Sequence, residues 1–223
     1  MVILFEDDDL IIVNKPIGLG VQADKSEEKS LLDLVNEHLK SLNPKANAFL
    51  THRVDKPTSG LVMFAKTEKA TLAINALFAK RKIQKQYLAV VKNLPSPEKG
   101  TLSNYLVHHH KPNKTFVSTA ENKEAKEAIL EYEHIYSSTT YHLLKILLIT
   151  GRHHQIRAQL SAIGSPIKGD LKYGFNRSNP DGGISLHSYS IAFEHPFTKE
   201  NIFITAALPD DNNWKYFKEG VIE

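Results

Sequence analysis

Short apolar runs separated by turn-forming residues recur along the chain and predict many strands with a few helices between them. Ile3 to Phe5 and Leu10 to Asn14 read as two strands, closed by Lys15-Pro16 and Gly18. Ser30 to Leu42 switches to helical spacing, with Ser30 as N-cap and Leu32, Val35, Leu39 and Leu42 on one face. Gly60 to Ala65 is continuously apolar and short, as in a strand buried on both faces. Thr67 caps a second helix with Ala70, Ile74 and Leu77 inward and Lys80-Arg81-Lys82 at its end.

Gln86 to Val91, Thr101 to Val107, Ala128 to Ile135 and Tyr141 to Ile149 then read as strands. A third helix is predicted from about His153 to Ile163, with Ile156, Leu160 and Ile163 on one face, Gly164 at C′ and Pro166 beyond it. Ile184 to Phe193 and Asn201 to Ala207 form a closing hairpin pair around His195-Pro196. The pattern predicts an α+β fold with a mostly antiparallel sheet. Without a low-complexity linker or internal repeat, it reads as one domain over residues 1–223.

Composition narrows the chemistry. The 223 residues suffice for a sizeable core, and 41% hydrophobic with 24% charged residues is a globular balance. The chain has no cysteine, which excludes thiol nucleophiles, disulfides, iron–sulfur clusters and sulfur-ligated zinc. The Met1-Val-Ile-Leu-Phe5 start lacks a basic leader, and the longest apolar stretch, Tyr141 to Thr150, is too short to span a bilayer. A soluble, cytoplasmic protein is expected.

The net charge of +3 conceals an uneven distribution. Residues 1–50 hold 5 basic and 9 acidic side chains, residues 51–115 hold 12 and 3, and residues 116–223 hold 11 and 13. The basic middle predicts a polyanion-binding face.

Three segments carry candidate chemistry. His52-Arg-Val-Asp-Lys-Pro-Thr-Ser-Gly60 is a tight polar loop, in which Asp55 before Lys-Pro would by itself read as a turn former. Ser59 lacks the surroundings of a hydrolase nucleophile. Lys80-Arg-Lys-Ile-Gln-Lys-Gln-Tyr87 places cations before an aromatic, a pattern suited both to phosphates and to a helix terminus. Thr150-Gly-Arg-His-His-Gln-Ile-Arg157 reads as strand, turn and helix entry. The consecutive His108, His109 and His110 alternate faces of a strand, and His153 and His154 should diverge on a helix, so no metal site is assigned.

Together, in this order, the segments resemble the RluA-type RNA pseudouridine synthase family. His52 to Lys66 is similar to its signature loop, and Asp7-Asp-Asp-Leu-Ile-Ile-Val-Asn-Lys-Pro-Ile-Gly18 to its opening motif. Lys85-Gln-Tyr-Leu-Ala89 resembles its tyrosine motif. Thr150 to Arg157, continuing through Gly164-Ser-Pro-Ile-Lys-Gly-Asp-Leu-Lys-Tyr-Gly174, resembles its arginine motif. Leu186-His-Ser, Glu194-His-Pro and Ala207-Leu-Pro resemble its ending. Val54 stands where the family usually has leucine, His153 where it has threonine, and Gln159 where histidine is frequent.

The resemblance implies the pseudouridine synthase catalytic fold with a central RNA-binding cleft. Because the core motifs begin at once, a separate N-terminal S4-type RNA-binding domain is not expected. The resemblance also implies isomerisation of uridine in structured RNA, ribosomal or transfer, with neither cofactor nor metal required. A monomer that does not engage membranes is expected, because no unburied amphipathic stretch asks for a partner and no stretch is long enough to span a bilayer. Asp55 would be the catalytic carboxylate, Tyr87 the ring-stacking proton acceptor, and Arg157 the cation that keeps Asp55 ionised. Arg53 would occupy the space of the extruded base. His52, Lys80, Arg81, Lys82 and Lys85 complete the implied RNA contacts.

Overall fold

The computed structural model describes residues 1–23 and 28–220. They form eleven strands and three α-helices that divide into two compact units. The first comprises Met1–Gln84 with His187–Pro209, and the second Lys85–Leu186 with the segment from Asp210 onward.

In the first unit β1 (Val2–Glu6) pairs antiparallel with β2 (Leu10–Lys15), and β2 with β4 (Ser59–Ala65). The two-residue β3 (Phe49–Leu50) runs antiparallel to β4, while β10 (Leu186–Glu194) touches β4 in parallel through His187–Ser59 and Ser188–Gly60. β11 (Asn201–Thr205) closes the predicted hairpin on β10. Both apolar strands, β2 and β4, are buried on both faces, as their unbroken hydrophobic runs require.

Two helices accompany this sheet. α1 (Leu31–Leu42) begins at a capping box in which the Ser30 hydroxyl accepts the Asp33 N–H and the Asp33 carboxylate accepts the Ser30 N–H. Its inward face is Leu31, Val35 and Leu39, whereas Leu42, expected inside, is 68% exposed in the final turn. α2 (Glu68–Ala79) is capped by Thr67 and lays Ala70 and Ile74 against Leu10, Ile12, Leu61, Met63 and Ala65.

The second unit is an antiparallel array in the order β5 (Gln84–Val91), β9 (His142–Leu148), β8 (Lys126–Ser137), β6 (Lys99–His109) and β7 (Lys114–Ser118). β7 was absent from the sequence reading because Lys114-Thr-Phe-Val-Ser118 is short and mostly polar at its ends; pairing with β6 fixes it. α3 (Gln155–Ala162) packs Ala158 against Leu106, Ala128 and Tyr173.

α3 corrects three expectations. It starts at Gln155 rather than His153, because His154 is left-handed at φ +52° and serves as the N-cap. His153 and His154 therefore do not diverge on a helix; their rings stack with centroids 3.7 Å apart. Ile163, predicted to line the apolar face, is the C-cap and 40% exposed.

Candidate active site

In the first unit, the loop before β4 presents Asp55. It is a tight turn, closed by the Thr58 N–H donating to the Asp55 carbonyl at 3.0 Å. The Lys56 carbonyl accepts the Gly18 N–H at 3.1 Å, tying the loop to the turn after β2.

Lys15 reinforces that tie. Its ammonium is fully buried and donates to the carbonyls of Pro16 and Leu19 at 2.9 Å and of Lys56 at 3.1 Å. Three N–H donors thus meet three acceptors, which is what a buried ammonium needs. Burial pushes Lys15 down to about 7, and the neighbouring charge of Asp55 opposes that fall. A basic group near Asp55 therefore lies in the same unit, whereas the sequence reading looked for one only in Arg157. The signal was the Lys15-Pro16 pair in the opening motif.

The remaining residues of the loop divide by exposure. Arg53 is exposed, as are Lys80, Arg81 and Lys82 in the turn after α2. His52 is anchored instead: its Nε2 accepts the Met63 N–H at 3.0 Å, and its ring lies 5.4 Å from that of Phe78. Ser59 does bond a histidine, His187 Nδ1 at 2.8 Å, a pairing the sequence did not reveal. The other His187 nitrogen faces the Ala206 carbonyl at 3.3 Å, and both side chains are buried. Burial pushes His187 down to about 4. With the Ala206 carbonyl behind the ring, the pair fastens β4 to β10.

In the second unit Tyr87 and Lys85 lie two residues apart on β5, and hence on one face of it. Tyr87 is buried, opposite Ile146 of β9. The Lys85 ammonium sits over Gly151, at 3.5 Å from where a Cβ would stand, and burial pushes it down to about 8.

Arg157 is on α3 and is buried, not an exposed surface arginine. Its Nε and Nη2 donate to the two oxygens of Asp170 at 2.7 and 2.9 Å, a bidentate fork. Its guanidinium carbon lies 4.9 Å over the Tyr173 ring. The turn before α3 is set by Gln155, whose Oε1 accepts the Arg152 N–H at 2.9 Å and the Thr150 hydroxyl at 2.8 Å. Gln155 Nε2 donates to the Ile129 carbonyl at 3.0 Å. Gln159 Nε2 binds the Leu102 and Ala128 carbonyls at 3.2 and 3.1 Å, holding α3 against β6 and β8. Asp170 and Tyr173 were visible only as letters of the Lys-Gly-Asp-Leu-Lys-Tyr string; their grip on Arg157 is tertiary.

The first unit thus presents a carboxylate loop tied down by the buried Lys15 of β2, and the second a strand tyrosine and a helix arginine held by an aspartate. The family model for RNA pseudouridylate synthases matches residues 9–162, and the chain belongs to that family, in its RluA-type branch. It is 34% identical to ribosomal large subunit pseudouridine synthase C of Haemophilus ducreyi, over 92% of this chain and 65% of that protein. It is 31% identical to tRNA pseudouridine synthase C of Haemophilus influenzae, over 96% of this chain and 94% of that protein. The chain thus spans just under two thirds of the first relative and nearly all of the second. Human RNA pseudouridylate synthase domain containing 4 shares the fold, with a TM-score of 0.78 at 24% identity over 94% of this chain and 89% of that one.

Proposed function

We propose that this chain isomerises uridine in a structured ribosomal or transfer RNA to pseudouridine, with Asp55 as the carboxylate acting at C1′. The observation that carries this reading is the Asp55 loop itself. A fully buried ammonium holds its backbone and places positive charge near its carboxylate. The two relatives, named for ribosomal and transfer RNA, support the substrate class.

In the reaction the N1–C1′ bond breaks, uracil turns, and a C5–C1′ bond forms. Asp55 meets the electron-deficient C1′ as a nucleophile or takes the 2′ proton to give a glycal. Tyr87 stacks on the base and takes the C5 proton, directly or through water. Arg157, aligned by Asp170, supplies fixed N–H donors and positive charge where negative charge persists. Nothing is oxidised and no atom is imported, so the chemistry requires neither cofactor nor metal.

The target base must leave its stack to expose C1′ and C5. Arg53 fills the gap, and His52, Lys80, Arg81, Lys82 and Lys85 contribute to RNA binding that weakens as salt rises. The two compact units act as a single catalytic domain, and the chain works as a cytoplasmic monomer.

The test is tritium release from uridine-5-tritiated ribosomal and transfer RNA, beside Asp55→Asn. Release that Asp55→Asn abolishes is expected, and its absence with every RNA would overturn the proposal. Tyr87→Phe should retain RNA affinity and stall turnover; a near-normal rate would remove Tyr87 from the mechanism.

A further inference from the structure

The β6–β7 hairpin and the turn before α3 bring four imidazoles together. His108 and His110 meet edge to face with centroids 5.0 Å apart, while His109 turns the other way against Phe116 at 5.2 Å. His153 lies 4.0 Å from His108 and stacks on His154. The Thr115 hydroxyl joins the stack, 3.2 Å from His153 Nδ1 and 3.4 Å from His108 Nδ1.

One of the four is locked neutral. The Thr115 N–H donates to the Tyr173 phenol oxygen at 2.8 Å, which leaves the phenol proton for His154 Nδ1 at 3.0 Å. Burial, with the nearby Arg157, His153, Lys172 and His108, pushes His154 down to about 2. His108 and His153 are half-buried and His110 is exposed, so water and ligands reach them.

The charges around the stack are mainly positive. Lys172 Nζ donates to the Asn113 carbonyl of the hairpin at 3.1 Å, and Lys114 Nζ lies 5.1 Å over the Tyr173 ring. From the turn comes Arg152, its Nε on the Glu127 carbonyl, and from α3 comes Arg157. Asp170 is held in the Arg157 fork. Each proton added to the stack therefore places positive charge against positive charge at ring-contact distance, and a bound anion offsets that repulsion. A phosphodiester supplies the anion, and its flanking bases suit the exposed ring faces.

We propose that His108, His110 and His153, with Lys114 and Lys172, form a backbone-phosphate subsite for the RNA whose grip strengthens as the imidazoles gain protons. The inference rests on RNA being the substrate. It adds a docking surface from segments other than the Asp55 loop and the basic turn after α2. Because the protonated stack binds the anion more tightly, affinity rises as pH falls through the imidazole range.

Two measurements test it. With inorganic phosphate as probe, the imidazole resonances of His108 and His153 in the intact protein should titrate at higher pH than in chloride of equal ionic strength. Between pH 8 and pH 6, affinity for transfer or ribosomal RNA should tighten by about tenfold, and His108→Asn with His153→Thr should flatten that slope. Imidazoles indifferent to phosphate would overturn the subsite, whether or not the variant folds. A phosphate response with a pH-independent RNA affinity would overturn the RNA assignment. Tritium release with pH-independent affinity sinks this inference alone, whereas pH-dependent RNA binding without release sinks the isomerase reading alone.

Discussion

At the scale of single residues, a buried charge in each unit is satisfied in its own way. Lys15 is accommodated because three backbone carbonyls match its three donors. Arg157 is accommodated because Asp170 takes one full edge of the guanidinium, which fixes the direction of the remaining donors. Asp170→Asn keeps size and shape but removes the carboxylate charge from the Arg157 fork. We expect it to cost about 3 kcal/mol of stability and to lower kcat more than it raises KM. Denaturant unfolding and steady-state kinetics check this; unchanged kcat would mean that Asp170 does not set the orientation of Arg157.

At the scale of elements, the site depends on where strands and helices begin and end. Gly60, the second residue of β4, adopts φ +103°, and a Cβ there would overlap the Ser188 backbone of β10. The loop that carries Asp55 runs directly into this close approach. Gly60→Ala combines a backbone strain with a steric overlap and should destabilise the protein by roughly 3 kcal/mol, displacing the Asp55 loop as well. The urea midpoint together with tritium release measures both effects. A stable, fully active variant would show that the β4–β10 contact has more freedom than its geometry implies. The start of α3 follows the same logic: His154 accepts a left-handed backbone that costs about 1–2 kcal/mol, offset by the Tyr173 hydrogen bond and the stack with His153.

At the scale of the whole molecule, acid sensitivity follows from two buried imidazoles, one in each unit. His187 is pushed down to about 4 and His154 to about 2, both by burial first. Each must stay neutral in the folded chain, while in the unfolded chain it protonates near 6.5. Their contribution is therefore fully present above about pH 6.5 and is lost as pH falls toward the folded values. His187 alone should account for roughly 3 kcal/mol of lost stability by pH 4. Urea unfolding at pH 7, 5.5 and 4 checks this, with His187→Asn expected to flatten the dependence. Stability unchanged across that range would rule the burial argument out.

The sequence by itself determined most of the elements and nominated the candidate reacting groups. Apolar runs set β2, β4 and the second half of β5, because a strand buried on both faces requires an unbroken hydrophobic stretch. Ser30 and Thr67 marked the helix starts, because capping is a local interaction between a side chain and the next turn. Asp55, Tyr87 and Arg157 were nominated because each lies in a short string whose order matches a known family. Only the tertiary structure decided what holds those groups. Lys15 reaches Lys56 across 41 residues, Arg157 reaches Asp170 across 13, and Ser59 reaches His187 across 128. It also decided that His154 leaves the helix and that His108 meets His153, since a left-handed backbone and a ring stack between distant segments have no local signature. Local hydrogen bonds and burial periodicity are written in neighbouring residues, whereas compensation of a buried charge depends on groups that only folding brings within reach.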